Sequence, residues 1–287
     1  MKKVNYLLNT FRMIKIEHTI FALPFAFWGA LLGGHGKIPV RVIFWIFLAM
    51  VGARSAAMAF NRVADLKYDR LNPRTKNREL PSKKISREFV VIFIILSSVV
   101  FIFSAYKLNP LSFYLSFPAL FLVLFYSYTK RFTHFSHFVL GFCLGIAPAG
   151  GWIAVTGSFD LRLFYLAFIV MFWVAGFDII YSCQDWDFDT KMGLYSFPSK
   201  FGVGKALKIS FGLHISTVLL LLYSVKLFSL GKIAFWGFFA MSLVLIFEHF
   251  LVRENDLSRV NIAFFNLNGL FSVGVFFFTF LDYLLRG

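Results

Sequence analysis

Apolar residues in this chain fall into nine long runs separated by short polar segments. The first five extend roughly over His18–Gly34, Val40–Phe60, Phe89–Tyr106, Leu111–Tyr128 and Phe138–Val155. The other four cover Leu161–Tyr181, Ala206–Leu227, Ile233–Val252 and Val260–Leu284. A helix needs about 20 apolar residues to cross the hydrocarbon of a bilayer. In lipid, only such a helix satisfies its own backbone N–H and C=O groups, and no strand pattern competes with it here. The pattern predicts an all-α, polytopic membrane protein with nine transmembrane helices, forming a single integral-membrane domain over residues 1–287. The first run is expected to be a span rather than a cleaved signal, because many more follow it.

Composition strengthens this reading. Hydrophobic residues make up 59% of the chain and charged residues only 15%, against about 25% charged in a soluble domain. The net charge of +15 would suggest nucleic acid in a soluble protein. In a membrane protein it reflects orientation and attraction to anionic headgroups, so membrane lipid is the expected partner and nucleic acid is not. No obligate protein partner is implied. Nine spans put the N-terminus and the even-numbered connections on one side, which holds about 21 basic residues against about seven on the other. The positive-inside rule then assigns the basic side to the cytoplasm, with a bacterial inner membrane as the expected location. Cys143 and Cys183 lie far apart in sequence and suggest neither a metal pair nor a disulfide.

Candidate chemistry sits where the carboxylates do. Of only 14 acidic residues, six fall in two stretches, "NRVADLKYDR" (Asn61–Arg70) and "DIIYSCQDWDFD" (Asp178–Asp189). Each directly follows an apolar run on the basic side. Asn61, Asp65 and Asp69 share one face of a helix expected to continue span two beyond the lipid, and Asp178, Tyr181, Asp185 and Asp189 share another. Asp187 falls off that stripe. Carboxylates one turn apart repel unless a cation lies between them, and hard oxygen donors completed by water and phosphate are the usual way of holding Mg²⁺. Asp178 lies within a span, where an ionised carboxylate normally faces a polar cavity or a partner.

Positive charge adjoins the first stretch. "NPRTKNRELPSKK" (Asn72–Lys84) leaves the helix at a turn and carries Arg74, Lys76 and Arg78, whose charges suit phosphate oxygens. Arg54, within span two and on nearly the same face as Asn61, is suited equally to an ion pair with Asp178 and to ligand contact. Two acidic stripes flanked by cations and opening onto lipid call for a diphosphate head on a hydrocarbon tail. Aromatic faces suit an allylic carbocation, and Tyr181 on the acidic stripe is the best placed.

These residues resemble the UbiA superfamily of intramembrane prenyltransferases. Its first signature, N-x-x-x-D-x-x-x-D followed by R-T-x-x-R, stands here as Asn61, Asp65 and Asp69, then Arg74, Thr75 and Arg78. The second, D-x-x-Y-x-x-x-D-x-x-x-D, stands as Asp178, Tyr181, Asp185 and Asp189, and Arg54 matches a characteristic arginine. The resemblance implies Mg²⁺-dependent transfer of a polyprenyl chain from its diphosphate to an aromatic acceptor. It implies metal binding by Asn61, Asp65, Asp69, Asp185 and Asp189, and diphosphate binding by Arg74, Lys76 and Arg78 with Lys191 opposite. "YSCQD" (Tyr181–Asp185) points to 4-hydroxybenzoate as acceptor in ubiquinone-type synthesis. Arg62, where many relatives carry Asp, leaves a dihydroxynaphthoate for menaquinone as the alternative. Glu17 and His18 are further candidates for acceptor contact. An ion-coupled transporter is the alternative of another class, although transporters concentrate charge nearer mid-membrane.

Overall fold

The computed structural model describes residues 2–15 and 19–286, so Glu17 and His18 lie outside the described residues. An amphipathic helix, α1 (Lys2–Ile14), precedes the bundle. Among the described residues, eight helices or helix runs are long and apolar enough to span a membrane. They are built from α3 (Val40–Ala64), α5 (Arg87–Leu108), α6 (Pro110–Thr129), α7 (Ser136–Thr156), α8 (Arg162–Ser182), α11 (Val203–Leu227), α12 (Lys232–Leu251) and α13 (Asn268–Arg286). The ninth expected span is present as a shorter helix, α2 (Thr19–Gly33), of 15 residues. Short helices α4 (Leu66–Leu71), α9 (Trp186–Met192) and α10 (Phe197–Phe201) complete the α-helical elements. Among the described residues the only extended pairing is an isolated bridge between Arg253 and Asp256.

Helix ends follow local chemistry. Ser86 caps α5 by accepting from Phe89 N–H, and Asn109 caps α6 ahead of Pro110 by accepting from Ser112 N–H. Gly157, at φ +65°, stops α7 in the left-handed conformation that glycine adopts without strain.

Lipid gives helices no hydrophobic reason to associate, so close packing must. A Cβ on Gly29 of α2 would lie 1.9 Å from Pro148 O of α7, and one on Gly151 of α7 would lie 1.8 Å from Ala26 O of α2. These two helices touch backbone to backbone, which seats the short α2 inside the bundle. Its ring face, with Phe25 and Trp28, meets Trp173, Phe238 and Phe271 in a buried aromatic core. Trp28 Nε1 donates to Thr279 Oγ1 of α13 at 3.0 Å. Outward-facing residues such as Ile92, Ile95, Leu96 and Val99 on α5 are more than half exposed, as a lipid-facing surface requires.

Candidate active site

Both acidic motifs lie at the same end of the bundle, and each breaks its helix at an aspartate, Asp65 in the first and Asp185 in the second. Helix α3 ends at Ala64; Asp65 has φ −91°, ψ 7° and α4 follows. Helix α8 ends at Ser182, a 3₁₀ turn covers Cys183–Asp185, and Asp185 has φ −101°, ψ 4° before α9. This bridge region of backbone space is sparsely occupied and common among active-site residues. The expected continuous helical faces are therefore corrected to two matching corners.

The loop after α4 laces the corners together. Asn72 Nδ2 donates to Asp185 Oδ1 at 3.0 Å, while Asn72 Oδ1 accepts from Arg74 N–H. Arg74 grips Asp185 in a fork, Nε to Oδ1 at 2.9 Å and Nη2 to Oδ2. Its third nitrogen donates to Tyr181 Oη at 2.9 Å. Arg78 Nη1 pairs with Asp69 Oδ1 at 2.8 Å, and Thr75 Oγ1 donates to Asp69 O. The loop of the first motif thus reaches the carboxylates of both. Burial works against the Arg74 charge, but the bonds to Asp185 and the nearby Tyr181 outweigh it and raise its pKa.

Several expected residues are placed differently. Asp178 has a partner that the sequence did not suggest: its Oδ2 lies 2.7 Å from Nδ1 of the buried His137. His137 Nε2 accepts from Phe197 N–H, so Nδ1 carries the proton and donates to Asp178. Lys191 is not opposite Arg74. It sits on the exposed face of α9, 2.6 Å from Asp187, and the two side chains are each 71% exposed. Lys76 is exposed and lines no part of the cavity described below. Arg62 is buried and donates from Nε to Met13 O, tying the end of α1 to α3.

Three basic residues outside both motifs also reach the site. Half-buried Lys130 closes α6, and although burial lowers its pKa, Asp189, Asp178, Asp185 and Asp65 together raise it. Arg131 approaches Asp65 Oδ1 at 3.6 Å. Lys15 also lines the site; burial pulls its ammonium down, Tyr181 opposes, and Arg62, Arg78 and Arg74 add to the lowering. A lysine ending a span on the same side as both motifs was the available signal for Lys130.

These groups form the mouth of a cavity of about 630 Å³. Beyond Asp178 and Arg54 its walls turn apolar. They continue past Leu122, Ala147 and Gly150 to Leu108 at the end of α5 and Phe159 between α7 and α8. The cavity therefore runs from the charged end of the bundle to the opposite connections. Phe142, Phe159 and Phe164 line this apolar part and keep more than a third of their surface accessible.

The mouth suits a hard divalent cation. Its free donors are all oxygens, and Asp189 Oδ2 is buried with no hydrogen-bond partner. Burial pushes the Asp65 carboxyl up, with Asp69 adding to the rise and Lys130 and Arg131 opposing it. Among the described residues no three carboxylate, imidazole or thiol groups converge as a complete ligand set. One or two carboxylates per ion, completed by water and phosphate, is how Mg²⁺ is commonly held.

The sequence profile of the UbiA prenyltransferase family matches residues 22–270. The chain is 30% identical over 258 residues to a 4-hydroxybenzoate octaprenyltransferase of Vibrio atlanticus, covering 90% of each. Its fold matches the apo structure of a UbiA homologue from Aeropyrum pernix K1 with a TM-score of 0.82 and 33% identity, covering 94% of this chain and 98% of that one. A UbiA homologue from Archaeoglobus fulgidus, solved with DMAPP and Mg²⁺, shares the fold at 18% identity and a TM-score of 0.67, covering 94% and 99%.

Proposed function

The chain belongs to the UbiA prenyltransferase family and is an aromatic prenyltransferase; we propose that it alkylates 4-hydroxybenzoate with a polyprenyl chain in respiratory quinone biosynthesis. The observation that carries this reading is the single cavity joining a charged mouth to an apolar duct. A diphosphate fits the first part and a polyprenyl tail the second. The mouth lies at the end of the bundle that carries most of the basic connections, which supports a cytoplasmic orientation.

In this reading Asn61, Asp65 and Asp69 hold one Mg²⁺, and Asp185 and Asp189 hold a second. When bound, the metal supplies Lewis-acid stabilisation of the diphosphate as a leaving group. Arg74 and Arg78, poised on Asp185 and Asp69, turn their donors to the diphosphate oxygens as charge accumulates there. The C1–O bond of the donor breaks and its electron pair leaves with the diphosphate. The ring carbon ortho to the acceptor hydroxyl gives a π pair to C1, and its proton passes to an oxygen base at the mouth. Arg54 lies seven residues before Asn61, about 10 Å deeper along α3, and lines the cavity where the acceptor carboxylate would rest. His137 holds Asp178 in place on the facing wall.

The test is to incubate purified protein and Mg²⁺ with labelled prenyl diphosphates and a panel of 4-hydroxybenzoate and dihydroxynaphthoates. Prenylated 4-hydroxybenzoate supports the assignment. Product from the naphthoates alone would move the enzyme to menaquinone synthesis, and vesicle transport without donor consumption would overturn the enzymatic reading.

A further inference from the structure

Helix α13 begins in an unusual way. Residues Ile262–Leu267 form a π-helical turn, which has wider hydrogen-bond spacing than an α-helix and recurs at functional sites. A side chain holds this turn. Trp173 Nε1, which can only donate, bonds to Asn268 Oδ1 at 2.6 Å. That contact settles the orientation of the Asn268 amide and directs its Nδ2 hydrogens to the other two partners. One goes to Ala263 O inside the π turn at 3.0 Å, the other to Glu248 Oε1 of α12 at 2.9 Å. Asn268 and Glu248 are both wholly buried. Every polar position of the amide is used, and the turn is pinned to α8 and α12.

The pinned turn carries Phe264. Its ring lies 4.3 Å from that of Tyr181, inclined by 34°, and meets Phe177 edge-on at 5.3 Å. Phe264, Phe177 and Tyr181 all line the cavity. Tyr181 in turn is held by Arg74, whose guanidinium carbon sits 5.2 Å from the ring centroid. The two tilted rings therefore stand where the charged mouth gives way to the apolar duct, the level at which C1 of a bound donor becomes an allylic cation.

We propose that Phe264 is a catalytic residue that, with Tyr181, forms the aromatic wall stabilising the allylic cation, and that Asn268, braced by Glu248, positions it. The proposal rests on the prenyl-transfer reading above. As the C1–O bond breaks and its electron pair leaves on the diphosphate, positive charge spreads over the allylic carbons. An aromatic face attracts that charge more strongly in a site shielded from water. The attraction grows only as the cation forms, so it acts on kcat and leaves ground-state binding alone.

The experiment compares Phe264→Met, which keeps bulk without a π face, with Phe264→Tyr, Asn268→Ala and the Phe264→Met/Asn268→Ala double variant. All are purified in detergent and checked for folding by thermal unfolding and by binding of an unreactive prenyl thiodiphosphate. Expected for Phe264→Met is a fall in kcat of about tenfold with donor KM within about twofold of wild type. Phe264→Tyr should retain the activity, Asn268→Ala should reproduce the loss, and the double variant should be no worse than either single one. Wild-type kcat in Phe264→Met, a change confined to KM, or additive losses in the double variant would overturn the proposal. Stepwise fluorination of Phe264 drains the ring face at nearly constant volume, so it decides the question even if the Met protein does not fold. A wild-type protein that prenylates no aromatic acceptor would instead sink the underlying assignment.

Discussion

Arg74→Ala should move three quantities in different directions, because Arg74 has one role in the free protein and another with donor bound. In the free protein its guanidinium forks onto Asp185, and the two side chains are 32% and 11% exposed. Fully exposed pairs contribute about 1 kcal/mol or less, and breaking a buried pair costs about 3–5 kcal/mol. A half-buried pair lies between, so the variant should lose about 2 kcal/mol of stability. Asp185 keeps only Asn72 as a hydrogen-bond partner, leaving a carboxylate short of positive charge, and its affinity for Mg²⁺ should rise. Donor binding should fall, because a charge-assisted hydrogen bond to phosphate contributes about 1.5–3 kcal/mol. That corresponds to a loss of about tenfold to a hundredfold in kcat/KM for the prenyl diphosphate. Thermal unfolding in detergent, Mg²⁺ titration of the free protein, and steady-state kinetics at saturating acceptor read the three separately. Unchanged donor kcat/KM, or weakened Mg²⁺ binding, would refute the two-role account. Arg74→Lys should recover little, since an ammonium cannot reproduce the fork onto Asp185 together with the bond to Tyr181.

Asp65→Ala and Asp185→Ala should each abolish transfer while leaving the protein folded, measured as product formed by purified, monodisperse enzyme. The raised pKa of Asp65 means that the folded state keeps this proton to a higher pH than the unfolded chain. The metal-free protein should therefore lose stability as pH rises from the ordinary carboxylate value through the raised one. Asp65→Asn should flatten that slope and weaken stabilisation by added Mg²⁺, as read by unfolding scans from about pH 4 to about pH 8. A Cβ on Gly150 would meet nothing within 4 Å although the residue lines the duct. Gly150→Phe should accordingly fold normally, keep short prenyl donors and raise KM for long ones. Gly151→Ala drives a methyl into Ala26 O and should cost about 3 kcal/mol, seen as lost folded yield.

The eight spanning helices among the described residues, the shorter α2 and the two motifs were legible because lipid makes the rules strict. An apolar run must be helical, and an acid at its end needs a reason to be there. What stayed hidden depended on contacts distant in sequence. The breaks at Asp65 and Asp185 interrupt a pattern that reads as unbroken helical periodicity, and only the fold shows them as a matched pair. Lys191 has the right charge beside the right motif, yet α9 turns it outward onto Asp187. His137 is a lone histidine opening α7 in the sequence, and its partner lies 41 residues away. The π turn left no periodic trace, since one widened turn in an apolar run looks like any other six residues.

The far end of the duct has a consequence for the product. Enzymes that set a chain length close their tunnel with a bulky floor, which acts as a ruler. Here the walls run on to Phe159, Phe142 and Phe164, all of them partly accessible, and a duct that leads out to lipid there would act as no ruler. A tail longer than the duct can trail into the bilayer while its head is in the mouth. In that case the number of isoprene units would follow the donor supplied, and the prenylated product would already have its tail in lipid.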